Sequence, residues 1–117
     1  MADKKEKGDR GEKLATEFLK KRGYAILAQN YRYSRCEADI VARDESALVF
    51  VEVKARSGEL YGSGRESVDS RKQAHIVKAA LGYMLTHNAM ETTIRFDVIE
   101  VELRCGEVTH IIDAFRV

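Results

Sequence analysis

The 117-residue sequence contains no proline and no tryptophan, and only two cysteines. Without proline no helix or strand is forced to break, so element boundaries must be read from glycine, capping residues and changes of hydrophobic period. Cys36 and Cys105 are far apart and neither belongs to a CxxC pair, which removes the usual basis for a zinc or redox centre. Both read as small, half-buried apolar residues in a reduced compartment, with no disulfide expected. No apolar run approaches the roughly 18–20 residues that span a bilayer. The opening MADKKEKGDRGEK lacks the apolar core of a secretory signal. The expectation is one cytoplasmic domain without a membrane partner, over residues 8–117, behind a disordered basic tail at 1–7.

Strong net charge is also lacking, at +1 overall, but the charges are unevenly distributed. Residues 1–35 hold ten Lys/Arg against five Asp/Glu, and 36–53 hold one against five. Residues 54–78 hold six against three, and 79–117 hold three against six. An acidic block between basic blocks suits a metal site within a phosphate-binding surface, although ordinary solvated charge gives the same pattern.

Periodicity supplies the elements. Leu14, Ala15, Phe18 and Leu19 form a helical stripe that predicts a helix from about Asp9 to Arg22, stopped by Gly23. Strands are predicted at 24–33, 36–43 and 47–56, with Asp44, Glu45 and Ser46 as a turn. A glycine-rich loop at 57–68 precedes a helix capped by Asp69 or Ser70 and running to about His87. Its expected apolar face is Ile76, Val77, Ala80, Leu81, Met84 and Leu85. Strands at 92–103 and 107–115, joined near Gly106, complete an α-β-β-β-α-β-β order. That order predicts an α/β (α+β) fold, a mixed five-stranded sheet flanked by helices.

The stretch VFVEVK, 49–54, carries the chemistry. Alternation puts Val49, Val51 and Val53 on one face and Phe50, Glu52 and Lys54 on the other. If the preceding turn is centred between Glu45 and Ser46, cross-strand partners sum to 91, so Asp39 opposes Glu52 and Glu37 opposes Lys54; an odd loop or a bulge would shift this. Opposed carboxylates repel, and Mg²⁺ or Mn²⁺ held by both would remove the repulsion. Lys54 is then placed to hold a phosphate or orient a water. An ordinary Glu52–Lys54 ion pair is the alternative.

Asp39 followed by Glu52-Val53-Lys54 resembles the D…(D/E)-x-K signature of restriction-endonuclease-like nucleases. Gly8-x-x-Gly11-Glu12, Asn30-Tyr31-Arg32, Glu37-Ala38-Asp39-Ile40-Val41-Ala42 and Val49–Arg56 extend the likeness, as do Lys72, Arg95-Phe96-Asp97-Val98 and His110–Phe115. Together they resemble the YraN-like uncharacterised bacterial family, with Cys36 standing where glycine is expected. That family is similar to archaeal Holliday-junction resolvases. The resemblance implies a three-layer nuclease fold, a homodimer, and hydrolysis of DNA phosphodiesters, branched DNA above all. A nucleic-acid-binding module with a vestigial or partner-dependent site is the alternative.

It further implies Asp39 and Glu52 as metal ligands with the Val53 carbonyl as a third, and Lys54 as catalytic lysine. Glu12 matches a further resolvase acid that reaches the metal; a dipole-favoured helix acid is its other reading. Glu37 would bind metal or pair with Lys54 or Arg56. Lys72 and Gln73 would support the lysine or a phosphate, or form a solvated helix turn. Arg56, Arg65 and Arg71 are candidate phosphate contacts, and the Gly58–Gly64 loop would let DNA approach closely. Arg95 and Asp97 read as a structural pair. Tyr31, Tyr33 and Tyr61 would stack on bases or pack internally.

Overall fold

A computed structural model describes residues 4–58, 68–89 and 92–116. Helix α1 (Lys4–Lys21) is followed by β1 (Ala25–Tyr33), β2 (Cys36–Asp44) and β3 (Ala47–Arg56). Helix α2 (Ser70–Thr86), β4 (Ile94–Glu102) and β5 (Glu107–Phe115) complete the expected order. Arg65, Tyr61 and most of the glycine-rich loop lie outside the described residues.

The sheet order is β1-β2-β3-β4-β5, with β3 and β4 parallel and every other neighbouring pair antiparallel. Parallel pairing needs a crossover, and α2 supplies it between β3 and β4. One helix covers each face. Ala15 and Leu19 of α1 pack with Ile40, Ala42, Val49, Val51, Ile99 and Val101. Ile76, Ala79, Ala80, Tyr83 and Met84 of α2 pack with Val41, Phe50, Phe96 and Val98. The alternation read in β3 therefore holds, with Phe50 on the α2 side and its odd-numbered valines on the α1 side.

Local chemistry sets the boundaries. Gly23 has φ 90°, its N–H bonds the Lys20 carbonyl, and Tyr24 N–H bonds the Leu19 carbonyl, which is a Schellman cap. Asp69 caps α2, accepting the Lys72 N–H at 2.9 Å. Glu45, at φ 57°, makes a two-residue turn, and Asp44 pairs with Ala47.

Three expectations need correction. Helix α1 begins at Lys4, not Asp9, so residues 4–7 are helical and not a disordered tail; Lys and Glu are good helix formers before any apolar stripe starts. The buried face of α2 is rotated, with Tyr83 inside while Leu81 and Leu85 are exposed. Its small Gly82 accepts the Tyr33 ring, so a Cβ there would clash with that ring. Tyr31 also packs on α2, edge-on to Tyr83 at 5.2 Å, so Tyr31 and Tyr33 both serve packing. Cys105 is exposed, not half-buried; Cys36 is buried, and both are free.

The Arg95–Asp97 pair is structural, and larger than its two residues suggest. Arg95 donates from Nε and Nη2 to both Asp97 oxygens at 2.9 Å. It also donates to the Tyr24 hydroxyl at 2.7 Å and to Asp44 at 3.1 Å. Asp97 is fully buried and additionally meets His110 Nε2 at 2.7 Å and the Asp113 N–H at 2.9 Å. Despite burial, these partners hold its carboxyl below the usual range.

Gly11 lets α1 lie close on β3, because a Cβ there would meet Ala55 Cβ at 2.6 Å, whereas one at Gly8 would meet nothing within 4 Å. Gly→Ala in an open helix gains up to about 1 kcal/mol, while overpacking costs about 1–3 kcal/mol. Gly8→Ala is therefore expected to be neutral or stabilising and Gly11→Ala destabilising in urea unfolding. Equal effects would contradict this packing.

Candidate active site

Strands β2 and β3 keep the register in which partners sum to 91, from Asp44↔Ala47 to Ile40↔Val51. There the regular pairing stops. The next β2 residue toward the N-terminus, Asp39, accepts the Val53 N–H on Oδ2 at 2.8 Å, so a side chain takes over where the ladder ends. The strands part at this point, leaving a cleft of about 340 Å³ lined by Arg35, Glu37, Asp39, Glu52, Lys72, His75 and Ile76. Asp39 and Glu52 thus line one cavity.

Glu52 is buried, 7% exposed. Its Oε1 meets Lys72 Nζ at 3.0 Å and Lys54 Nζ at 3.8 Å. Both lysines therefore compensate one carboxylate, Lys54 from the same strand and Lys72 from the first turn of α2. Burial and the Glu52 charge push Asp39 up to about 7, with Glu12 and Glu37 adding to the rise and the Val53 N–H opposing it. Burial, then the neighbouring Lys72, lower the pKa of Lys54. Burial also works against the Lys72 ammonium, but the Glu52 carboxylate it meets at 3.0 Å outweighs it and that pKa is raised.

Other predicted residues sit elsewhere. Glu12 does not line this cleft. It lines a separate cavity of about 360 Å³ between α1 and β1, with Thr16, Gln29 and Asn30. Its Oε1 and the Thr16 hydroxyl are buried without a hydrogen-bond partner among the described residues. Burial and the charges of Glu37, Asp9 and Glu52 raise the Glu12 pKa, so it feels the cleft electrostatically. Glu37 lines the cleft but pairs with Arg32 of β1 at 3.3 Å, not with Lys54 or Arg56. Arg56 is 11% exposed and donates to Glu100 at 3.0 Å, which commits it to β4 and not to an open surface. Gln73 Nε2 donates to the Val68 carbonyl and steadies the start of α2. Arg71 is exposed beside Lys72.

Arg35 and His75 are cleft residues that the sequence reading did not select. His75 lies three positions after Lys72, a same-face helical spacing that could have flagged it. Arg35 sits in the β1–β2 turn and carries no such signal.

Among the described residues no group of three or more His, Cys, Asp and Glu side chains converges as a metal site. The donor set still fits one hard cation, since Mg²⁺ is usually held by one or two carboxylates and completes its shell with water and phosphate oxygens. The Val53 backbone lies at the site through its N–H contact to Asp39.

Comparison with protein-family profiles matches residues 11–101 to the uncharacterised protein family UPF0102. The chain belongs to the UPF0102 family. A UPF0102 protein of Clostridioides difficile is 46% identical over 111 residues, covering 95% of this chain and 97% of the relative. Another, from Desulfosudis oleivorans, is 46% identical over 108 residues, 92% of this chain and 88% of the relative. A third, from Caldanaerobacter subterraneus, is 41% identical over 118 residues and covers 97% of each. The matched UPF0102 segment contains Glu12, Asp39, Glu52, Lys54 and Lys72. None of these names states an activity.

The raised Asp39 pKa makes a pH prediction. The folded protein holds a proton that an unfolded Asp, with its ordinary pKa of 3.8, has released. This contribution to stability is complete below pH 4 and is lost as pH rises through about 7. Asp97, with a lowered pKa, acts in the acid range instead. Asp39→Asn is therefore expected to reduce the stability loss between pH 5 and 8 by on the order of 1–3 kcal/mol. Urea unfolding at both pH values reads it. An unchanged or larger loss in the variant would contradict the assignment.

Proposed function

We propose that this UPF0102 protein is a divalent-metal-dependent nuclease that hydrolyses DNA phosphodiester bonds, with branched or otherwise structured DNA as its favoured substrate class. One observation carries the reading: Asp39 and Glu52, from adjoining strands, line a single cleft together with Lys72, and Glu52 meets both Lys72 and Lys54. A surface adapted only for packing would gain by replacing such a pair with apolar residues, because buried like charges cost stability.

In this reading Asp39 and Glu52 hold Mg²⁺ or Mn²⁺, with the Val53 carbonyl as the proposed backbone ligand. A cation held there supplies Lewis-acid activation of water and neutralises charge on the phosphate. Lys54 contributes a donor to the scissile phosphate in the half-buried part of the site, where electrostatic stabilisation is strongest. Arg35, at the cleft rim, and Arg71, on the adjoining turn of α2, offer charge to the flanking backbone phosphates. The branched substrate and the homodimer rest on the likeness to resolvases. Symmetric cutting of two strands suits a two-fold assembly.

A nucleic-acid-binding module with a partner-dependent site is the second reading. The double lysine pairing of Glu52 favours it, since that carboxylate is already compensated without a metal.

Cleavage of linear, nicked, flapped and four-way DNA with Mn²⁺ separates the two. The nuclease reading expects activity that falls roughly 10²-fold or more in both Glu52→Ala and Lys54→Ala. Salt-dependent binding with no cleavage would favour the module. Equal activity in wild type and both variants would refute the assigned chemistry.

A further inference from the structure

The two lysines on Glu52 are not equivalent. Lys54 Nζ lies 3.8 Å from Oε1 with its side chain 20% exposed, whereas Lys72 Nζ makes the closer contact, 3.0 Å, with its side chain 44% exposed. Lys54 is fixed by its own strand, one alternation beyond Glu52. Lys72 reaches in from the cleft mouth. Its backbone is anchored by the Asp69 cap at 2.9 Å, while its side chain is a flexible four-carbon stem. The ammonium can therefore leave Glu52 without moving α2.

Any cation binding Glu52 must compete with the contact already there. A divalent cation held by Glu52 would lie within a few ångströms of the Lys72 ammonium that now sits 3.0 Å from Oε1, and the two positive charges repel, so lysine and metal compete for the carboxylate even though its second oxygen is free. The displaced ammonium would remain at the mouth of the cleft, which Arg35 also lines.

We infer that Lys72 is an exchangeable counter-ion: it neutralises Glu52 in the metal-free protein, yields that carboxylate to the divalent cation, and then presents its ammonium to a phosphate of the nucleic acid. The role rests on the nuclease reading and adds a coupling to it. Metal binding releases a phosphate ligand, and phosphate binding removes a competitor of the metal, so each strengthens the other by the same factor. Lys72 is accordingly a substrate-binding residue that links two binding events, whereas Lys54 stays with the reacting phosphate.

Mn²⁺ binding, followed by electron paramagnetic resonance without DNA, tests the first half. Lys72→Gln is expected to bind Mn²⁺ about three- to tenfold more tightly than wild type, the gain from losing a half-exposed competitor. Lys72→Arg, which keeps the charge, is expected to show no such gain. The second half is read by anisotropy of a labelled duplex in a Lys54→Ala background, where cleavage does not intervene. Adding Lys72→Gln should lower the salt slope of binding by about one in Mn²⁺ and leave it unchanged in EDTA. Equal or weaker Mn²⁺ affinity in Lys72→Gln, or an equal slope change in EDTA, would overturn the exchange. No Mn²⁺ binding by wild type would overturn the metal site as well, which distinguishes the two failures.

Discussion

Two carboxylates that disfavour each other's charge are held together where β2 and β3 part. Much of the site's local architecture can be read as managing that repulsion. The strands pair regularly as far as Ile40↔Val51 and then separate, and the Asp39 side chain takes the Val53 N–H. Glu52, one position along, is compensated by Lys54 and Lys72. Helix α2 is capped so that Lys72 lies in its first turn, and Gly11 brings α1 close against the end of β3.

The sheet contains a second aspartate used in the same way, which makes the first one informative. Asp97 also accepts a strand N–H on its side chain, from Asp113. It is fully buried, which alone would raise its pKa, yet its contacts with His110, Arg95 and the Asp113 N–H lower it. Burial first, and then the charges of Glu52, Glu12 and Glu37, push the pKa of Asp39 up to about 7. Geometry is shared and surroundings are opposite. Asp97 belongs to a satisfied structural network, while Asp39 retains an electrostatic demand that a divalent cation would meet.

The elements whose determinants are local were legible in the sequence. β3 and β5 have the bounds that alternation and turn residues indicate, 47–56 and 107–115. A two-residue turn at Glu45–Ser46 was enough to fix the register as far as Ile40↔Val51, but the expected Asp39↔Glu52 and Glu37↔Lys54 partners beyond it do not form, because the Asp39 side chain takes the Val53 N–H there. Properties set by distant packing were not legible. Arg56 pairs with Glu100 because β4 lies parallel beside β3, and Glu37 pairs with Arg32 because β1 lies along β2. The approach of Lys72 to Glu52 depends on how α2 crosses the sheet. Likewise, the Arg95–Asp97 spacing indicated a pair, but Tyr24, Asp44 and His110 reach it from three other elements or their ends. Separate cavities divide Glu12 from Asp39, which motif spacing alone could not reveal.

Anomalous diffraction from crystals of the wild-type protein grown with Mn²⁺ tests the central claim most directly. The account predicts one strong peak at coordination distance from both the Asp39 and Glu52 carboxylates, with the Lys72 ammonium no longer on Glu52. A peak bound elsewhere, or none in the cleft while Lys72 still holds Glu52, would contradict it.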